Sequence, residues 1–242
     1  MNLIIDAGNS RVKIYHTEGT DFTTTKIFAS SDDKHIYDFL SKLKWENCIL
    51  SNVGAYETDW INLLSEKSEI FLNLNSETPL PIKNLYETPE TLGNDRLANA
   101  VGADYLYPGE SVLAIDTGTA ITYDLVVHHA YIGGAIAPGM QLRFDALHQH
   151  TKRLPLLDYY NDYEIPGKST RDSILNGVIQ GICNEIKGTI NTYKEEYSGL
   201  IAVITGGDAD IFAKMIKNGI FAEPYLLAKG LNRILNYNVE KT

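Results

Sequence analysis

The chain has 242 residues, 44% hydrophobic and 21% charged, enough to bury one large core or two smaller ones and too apolar for a disordered chain. Its 21 Lys and Arg stand against 31 Asp and Glu, a formal net charge of −10, so no nucleic-acid or anionic-membrane partner is expected, because like charges repel. A phosphorylated ligand stays open, since backbone N–H groups and a metal ion can hold phosphate without net positive charge.

Cys48 and Cys183 stand alone, without metal-ligand spacing, and read as reduced, buried thiols. No run approaches the ~18 apolar residues that cross a bilayer, and Met1 to Asp6 lacks the pattern of a secretory leader. A soluble, cytoplasmic protein is expected.

In chain order, Leu3-Ile4-Ile5 predicts a short buried strand ending at Asp6, and Val12–His16 and Thr23–Phe28 predict antiparallel strands after it. Ile36, Phe39, Leu40 and Leu43 give Asp32–Lys44 the spacing of one helix face. Cys48–Ser51 reads as a strand and Ala55–Lys67 as a helix with Trp60, Ile61, Leu63 and Leu64 on its apolar side. Pro79, Pro81 and Pro89 break the pattern, so 73–89 is expected to be an irregular loop. A helix is predicted over Asp95–Tyr107, then strands from Val112 to about Ala137, punctuated by Gly118 and Gly133-Gly134, with a hairpin turn at His128-His129. His148 and His150 end a further helix, and neither histidine pair has the additional ligands of a metal site. After an irregular 154–167, a long helix is predicted over Thr170–Tyr197, then a strand at Leu200–Thr205. A helix at Asp208–Lys217, a short strand and a final helix at Pro224–Tyr237 complete the pattern.

One segment repeats. Leu3-Ile4-Ile5-Asp6-Ala7-Gly8-Asn9-Ser10 aligns with Leu113-Ala114-Ile115-Asp116-Thr117-Gly118-Thr119-Ala120. Each half thus opens with a strand, an Asp-x-Gly turn and a second strand, which predicts two related lobes split near residue 110, facing each other across a cleft. In the first turn, Asp6 can hold a hydrated Mg²⁺. Gly8 lets N–H groups approach phosphate, Asn9 and Ser10 add neutral donors, and Lys13 neutralises a phosphoryl group. Asp, Gly and Asn also make ordinary hairpin turns, so either turn alone is ambiguous. Their recurrence at equivalent places favours a phosphate clamp that includes Gly118 and Thr119. Gly206-Gly207, between an apolar run and Asp208, permits close approach of a base or ribose, or forms a turn with Asp208 as helix N-cap.

These segments resemble the two phosphate motifs and the adenosine motif of the acetate kinase/sugar kinase/Hsp70/actin superfamily, and within it the type III pantothenate kinase family. The resemblance is carried by Asp6–Lys13 (with Ser10 where the family has Thr), Gly93-Asn94-Asp95-Arg96, Asp116–Ala120, and Gly133–Gly139, in the family's order along nearly the whole chain. It implies an α/β fold of two ribonuclease H-like lobes, each a mixed sheet flanked by helices, with the active-site cleft between them. The N-terminal lobe, 1–110, would hold the first phosphate motif and the catalytic Asp. The C-terminal lobe, 111–242, would hold the second phosphate motif, the adenosine motif and the dimer interface.

The activity implied is ATP-dependent phosphorylation of pantothenate to 4′-phosphopantothenate, the first step of coenzyme A biosynthesis, with Mg²⁺ and a monovalent cation (K⁺ or NH4⁺), in a homodimer. By the same resemblance Asp95 is the base and Arg96 binds the pantothenate carboxylate. Asp6, Gly8, Asn9, Ser10, Arg11, Val12, Lys13, Gly118, Thr119, Gly206 and Gly207 bind ATP. Tyr86, Gly93, Asn94 and Thr170 line the substrate site, Thr170 across the dimer interface and beside Ser169, where the family often has Asn. Asp116 lies near the monovalent cation. Gly133, Gly134 and Gly139 shape the substrate pocket or form tight turns. Asp95 also suits the first turn of a helix. Two alternatives remain: a nucleotide-binding regulatory protein of this fold without turnover, and a kinase for another small alcohol. Retention of Asp6, Asp95 and Asp116 favours the enzyme.

Overall fold

The computed structural model describes residues 1–18, 21–52, 58–216 and 219–241. Its first half contains β1 (Asn2–Ala7), β2 (Arg11–Glu18), β3 (Asp21–Ala29), α1 (Asp33–Lys42), β4 (Asn47–Asn52), α2 (Asp59–Lys67), β5 (Ile70–Asn73), β6 (Lys83–Asn84) and α3 (Asn94–Leu106). Next come β7 (Ser111–Thr117), β8 (Ala120–Val127), β9 (Ala130–Pro138), α4 (Met140–Gln149), α5 (Thr170–Glu196), β10 (Ile201–Thr205), α6 (Ala209–Ile216), β11 (Phe221–Ala222) and α7 (Leu226–Val239). Residues 55–57 of the expected Ala55–Lys67 helix, and Lys217 at the end of the expected Asp208–Lys217 helix, lie outside the described residues.

The chain divides into two compact units: Met1–Pro108 with His129–Ile132 and Tyr225–Thr242, and Gly109–His128 with Gly133–Pro224. The first unit is built on a mixed sheet in the order β3-β2-β1-β4-β5. β1 pairs antiparallel with β2 and parallel with β4. Flanked on both sides, β1 is buried along its whole length, which is why Leu3-Ile4-Ile5 reads as a continuous apolar run rather than an alternating one. Leu3, Ile5, Val12 and Ile14 pack with Ile36 and Leu40 of α1 and Trp60 and Leu64 of α2 on one face, while α7 lies against β1 and β4.

In the second unit the strand order is β9-β8-β7-β10-β11. β7 pairs antiparallel with β8 and parallel with β10, as β1 does with β2 and β4. The repeat in sequence is therefore a repeat of topology. Leu113, Ile115 and Tyr123 share a core with Phe144 of α4, the Ile179, Ile182 and Ile186 stripe of α5, and Phe212 of α6. Both cysteines are free and buried, and burial pushes both thiols up from their ordinary pKa.

Three expectations change. The final helix, expected within the C-terminal lobe, 111–242, belongs as α7 to the first unit. There α3 and α7 cross backbone to backbone: a Cβ on Gly230 would stand 1.8 Å from the Ala98 carbonyl oxygen, and one on Gly102 2.3 Å from that of Leu226. The irregular 73–89 contains the two-residue β6, paired with Ala130 and Tyr131, and is preceded by β5, which the sequence pattern missed because four residues offer too little periodicity. Gly133-Gly134 make no tight turn but lie inside β9. The turn that precedes them does occur at His128-His129, with φ of 47° and 63°, the backbone of a two-residue hairpin normally filled by Asn and Gly.

Candidate active site

In the first unit β1, β4 and β5 run parallel, so their carboxyl ends share one edge, the place where open α/β sheets bind ligands. Asp6 closes β1 there, 7% exposed, with Ser51 beside it in register on β4 and Lys13 opposite it on β2. The Lys13 ammonium lies 3.8 Å from the Asp6 carboxylate. Between them Gly8 donates its N–H to the Arg11 carbonyl at 3.0 Å, closing the turn. Ser30 ties it down from β3's end: its hydroxyl donates to the Asn9 carbonyl at 2.9 Å and its N–H to that of Ser10 at 3.1 Å. Asn9, Ser10 and Arg11 stay exposed, and Val12 is buried in the core.

The amino end of α3 reaches the same edge. Leu74, just past β5, donates its N–H to Leu50 of β4 at 2.9 Å, and its carbonyl accepts from the Asn94 side-chain amide at 2.9 Å. Gly93 occupies the N-cap position, and a Cβ there would meet the Asp95 carboxylate at 2.5 Å. One Asp95 oxygen accepts the Arg96 N–H at 2.8 Å, so Asp95 serves as a first-turn acid of α3 through that oxygen. Arg96 is 5% exposed, with its guanidinium 5.6 Å from the centre of the Tyr86 ring, itself 5.9 Å from that of Tyr131. Tyr86, Gly93, Asn94, Asp95 and Arg96 are thereby brought together.

The second unit repeats the edge with different chemistry. Asp116 ends β7 and pairs in register with Thr205 of β10. The Thr117 hydroxyl donates to the Thr205 carbonyl at 2.9 Å, and the Asp208 N–H to the Thr117 carbonyl at 3.1 Å. Gly206, at φ +98°, lies so close that a Cβ would come within 2.4 Å of the Asp116 carboxylate. Gly206-Gly207 therefore fold directly onto the second Asp-x-Gly turn. Asp208 accepts the Ile211 and Phe212 N–H groups through its carbonyl, and burial holds its carboxyl above the ordinary carboxylate range. From the other side Gly139 donates to the Thr119 carbonyl at 3.0 Å, and a Cβ on it would stand 2.4 Å from the Gly118 oxygen.

Thr170 stands apart from that turn, as the first residue of α5, and Ser169 caps the helix by accepting the Asp172 N–H at 3.0 Å. Ser and Asn are comparable N-caps, so Ser169 keeps the helix start intact. Thr170 lines a cavity of about 1060 Å3 with Arg143, His150, Lys168 and Ser169. Sequence reasoning missed Arg143, whose one signal is its position one helical turn after Gly139. Among the described residues no group of three or more His, Cys, Asp or Glu gathers as a metal site, and no helix is long and apolar enough to cross a membrane.

The family model for type III pantothenate kinase matches residues 2–192. The chain belongs to that family. A type III pantothenate kinase of Christiangramia forsetii is 42% identical over 241 residues, covering 98% of this chain and 99% of that one. Its counterpart in Phocaeicola vulgatus is 40% identical over 243 residues, covering 98% and 99%. Among solved structures, a Baf family transcriptional activator from Campylobacter jejuni shares the fold with a TM-score of 0.67 and 22% identity, covering 98% and 99%. A ROK family glucokinase from Streptomyces griseus, in complex with glucose and AMPPNP, matches with a TM-score of 0.55 and 10% identity over 98% of each chain. The two mixed sheets flanked by helices are thus the fold of the sugar-kinase class, and this chain carries one Asp-x-Gly turn after β1 and the other after β7.

Proposed function

We propose that this chain transfers the γ-phosphoryl group of ATP to the primary hydroxyl of pantothenate, giving 4′-phosphopantothenate and ADP at the start of coenzyme A biosynthesis. What supports the reading most is that the family's motif residues gather at the carboxyl ends of parallel strands, with Asp95 and Arg96 adjacent at one helix start. In this mechanism Asp95 accepts the hydroxyl proton as the oxygen attacks phosphorus; its second carboxylate oxygen, not the one bonded to the Arg96 N–H, suits that role. Arg96 holds the pantothenate carboxylate by its planar fork in a buried setting, where a charge-assisted contact outweighs its surface counterpart. Tyr86 walls the same pocket, beside Gly93 and Asn94, and Thr170 reaches the substrate of a second subunit in a homodimer. Asn9, Ser10, Arg11 and Lys13 with Gly8, and Thr119 with Gly118, bind the phosphates, while Gly206 and Gly207 face the adenosine. Val12, expected among the ATP-binding residues, is apolar and buried in the core and supports the turn from beneath instead.

Mg²⁺ fits Asp6: a single carboxylate at a strand end, with no cluster of further ligands among the described residues, suits a cation that keeps most of its waters and binds substrate phosphates. It would neutralise charge on the transferring group. Asp116 is the candidate ligand for K⁺ or NH4⁺. The acidic chain and its pathway fit a cytoplasmic enzyme without nucleic-acid or membrane partners.

The test is phosphopantothenate formation by the purified protein with ATP and Mg²⁺, in K⁺ and in Na⁺. Product is expected, more in K⁺; its absence from folded protein in both salts rules the activity out. Asp95→Asn should keep its melting temperature and lose roughly 10²–10⁴-fold in kcat. Near-normal turnover would remove Asp95 as the base. A regulatory protein without turnover, as the name of the Campylobacter relative raises, would bind nucleotide and yield no product; at 22% identity that likeness carries the fold alone.

A further inference from the structure

Arg143 begins from an unremarked place in the sequence, four residues after Gly139, yet two of its contacts converge on one link and a third anchors it to α5. Its backbone N–H donates to the Gly139 carbonyl at 3.1 Å, in the first turn of α4. Its Nε folds back to donate to the Pro138 carbonyl at 2.8 Å, and its Nη2 donates to Glu185 Oε2 of α5 at 2.7 Å. The other Glu185 oxygen accepts the Tyr123 hydroxyl of β8 at 2.8 Å. Both ends of the Pro138–Gly139 link are thus gripped by one side chain and its own backbone. The pair is shielded, with the Arg143 and Glu185 side chains 21% and 32% exposed, and the Tyr123 ring is 2% exposed.

That link bears on the second phosphate turn. Gly139 donates to the Thr119 carbonyl at 3.0 Å, and the space between them is so small that a Cβ would meet the Thr119 oxygen at 2.3 Å. A shift of Pro138–Gly139 by an ångström would therefore push Gly118 and Thr119 with it. We propose that Arg143 is a positioning residue for ATP: braced by Glu185 and Tyr123, it fixes the Pro138–Gly139 link and through it the Gly118–Thr119 turn. This rests on the reading of that turn as a phosphate site. Lysine is no equivalent, because its three donors leave a single nitrogen, whereas Arg143 reaches Pro138 and Glu185 from two separate nitrogens of a planar fork.

Two other roles predict different results. A merely structural pair between α4 and α5 would lower the melting temperature and leave KM for ATP alone. Direct contact with pantothenate from the cavity that Arg143 shares with Thr170 would raise KM for pantothenate instead.

The experiment compares wild type, Arg143→Lys, Glu185→Gln and Asp116→Asn, reading KM for both substrates, kcat, melting temperature, and the Kd of a fluorescent ADP analogue. Arg143→Lys should raise KM for ATP and the analogue Kd by about tenfold, less than the ~10²-fold that a full ångström of misplacement costs. KM for pantothenate should stay within about twofold. Glu185→Gln should shift the same constants in the same direction by less, since it keeps one of the two contacts. An unchanged KM for ATP and analogue Kd in folded Arg143→Lys overturns the proposal, as does a rise confined to pantothenate. If Asp116→Asn also leaves nucleotide binding unchanged, the phosphate-turn reading falls and this one with it. If Asp116→Asn weakens nucleotide binding and Arg143→Lys does not, only the role of Arg143 falls.

Discussion

The two Asp-x-Gly turns share a sequence pattern and a topology but are held in opposite ways. The first, Asp6 to Lys13, is supported by side chains: Lys13 faces Asp6 across the hairpin, and the Ser30 hydroxyl holds Asn9. There is room around it, for a Cβ on Gly8 would meet only the Arg11 oxygen at an ordinary 3.5 Å. The second, Asp116 to Thr119, is wedged between two glycines, Gly139 and Gly206, at distances that no Cβ tolerates. The contrast teaches that a repeated motif need not have repeated support. The first turn carries its positive charge on a movable side chain, whereas the second is shaped by backbone packed against backbone.

The largest effect that would break this comparison comes from the glycines. Gly206→Ala adds a left-handed φ to a steric clash with Asp116 and Thr117, and Gly139→Ala collides with Gly118 and Thr119. Each should cost about 3 kcal/mol of stability or more in denaturant titration and abolish nucleotide binding. Gly8→Ala should change stability by under about 1 kcal/mol while weakening ATP binding, because on the proposed function its Cβ would occupy the space that the phosphates approach. Equal loss of stability in Gly8→Ala and Gly139→Ala would erase the distinction.

Of intermediate size is Lys13→Ala. Its ammonium is partly in solvent and stands a long 3.8 Å from the Asp6 carboxylate, so the pair contributes little to stability. A lost charge-assisted phosphate contact of about 1.5 kcal/mol should raise KM for ATP by roughly tenfold, with an unchanged melting temperature. The smallest effect concerns Asp208, beside the second turn. Burial raises its pKa, so the folded state favours the protonated form. Stability from this group is full below the unfolded carboxylate pKa and is lost as pH rises through the higher folded value. Asp208→Asn should therefore melt slightly higher than wild type at neutral pH, by less than about 1 kcal/mol given its partial exposure, and equal it at acid pH. A variant less stable at pH 7 would assign Asp208 a favourable role at the start of α6.

Much of the fold was legible because its signals are local. The apolar stripe of α5 and the apolar run Leu3-Ile4-Ile5 of β1 each follow from spacing within a few residues. The first-unit residues proposed as a site were singled out by their motif, and Asp95 and Arg96 sit together because they are neighbours in sequence. Less readable was β6, two residues in a proline-rich stretch whose pairing with Ala130 is 47 positions away. Gly133 and Gly134 left two readings open for a related reason. Glycine signals backbone freedom, and only their strand neighbours decide whether that freedom makes a turn.

By itself, then, the sequence determined the two strand–turn–strand openings, the order of most elements and the family, since periodicity and motif spacing are properties of consecutive residues. Tertiary structure alone decided that α7 returns to the first unit, that Gly102 and Gly230 let α3 and α7 touch, and that the second Asp-x-Gly turn is clamped while the first is not. It also joined Arg143 to Glu185, 42 residues away, and Tyr123 to the same carboxylate across 62. Such partners are chosen by where packed elements bring side chains into reach, and no local pattern encodes that choice.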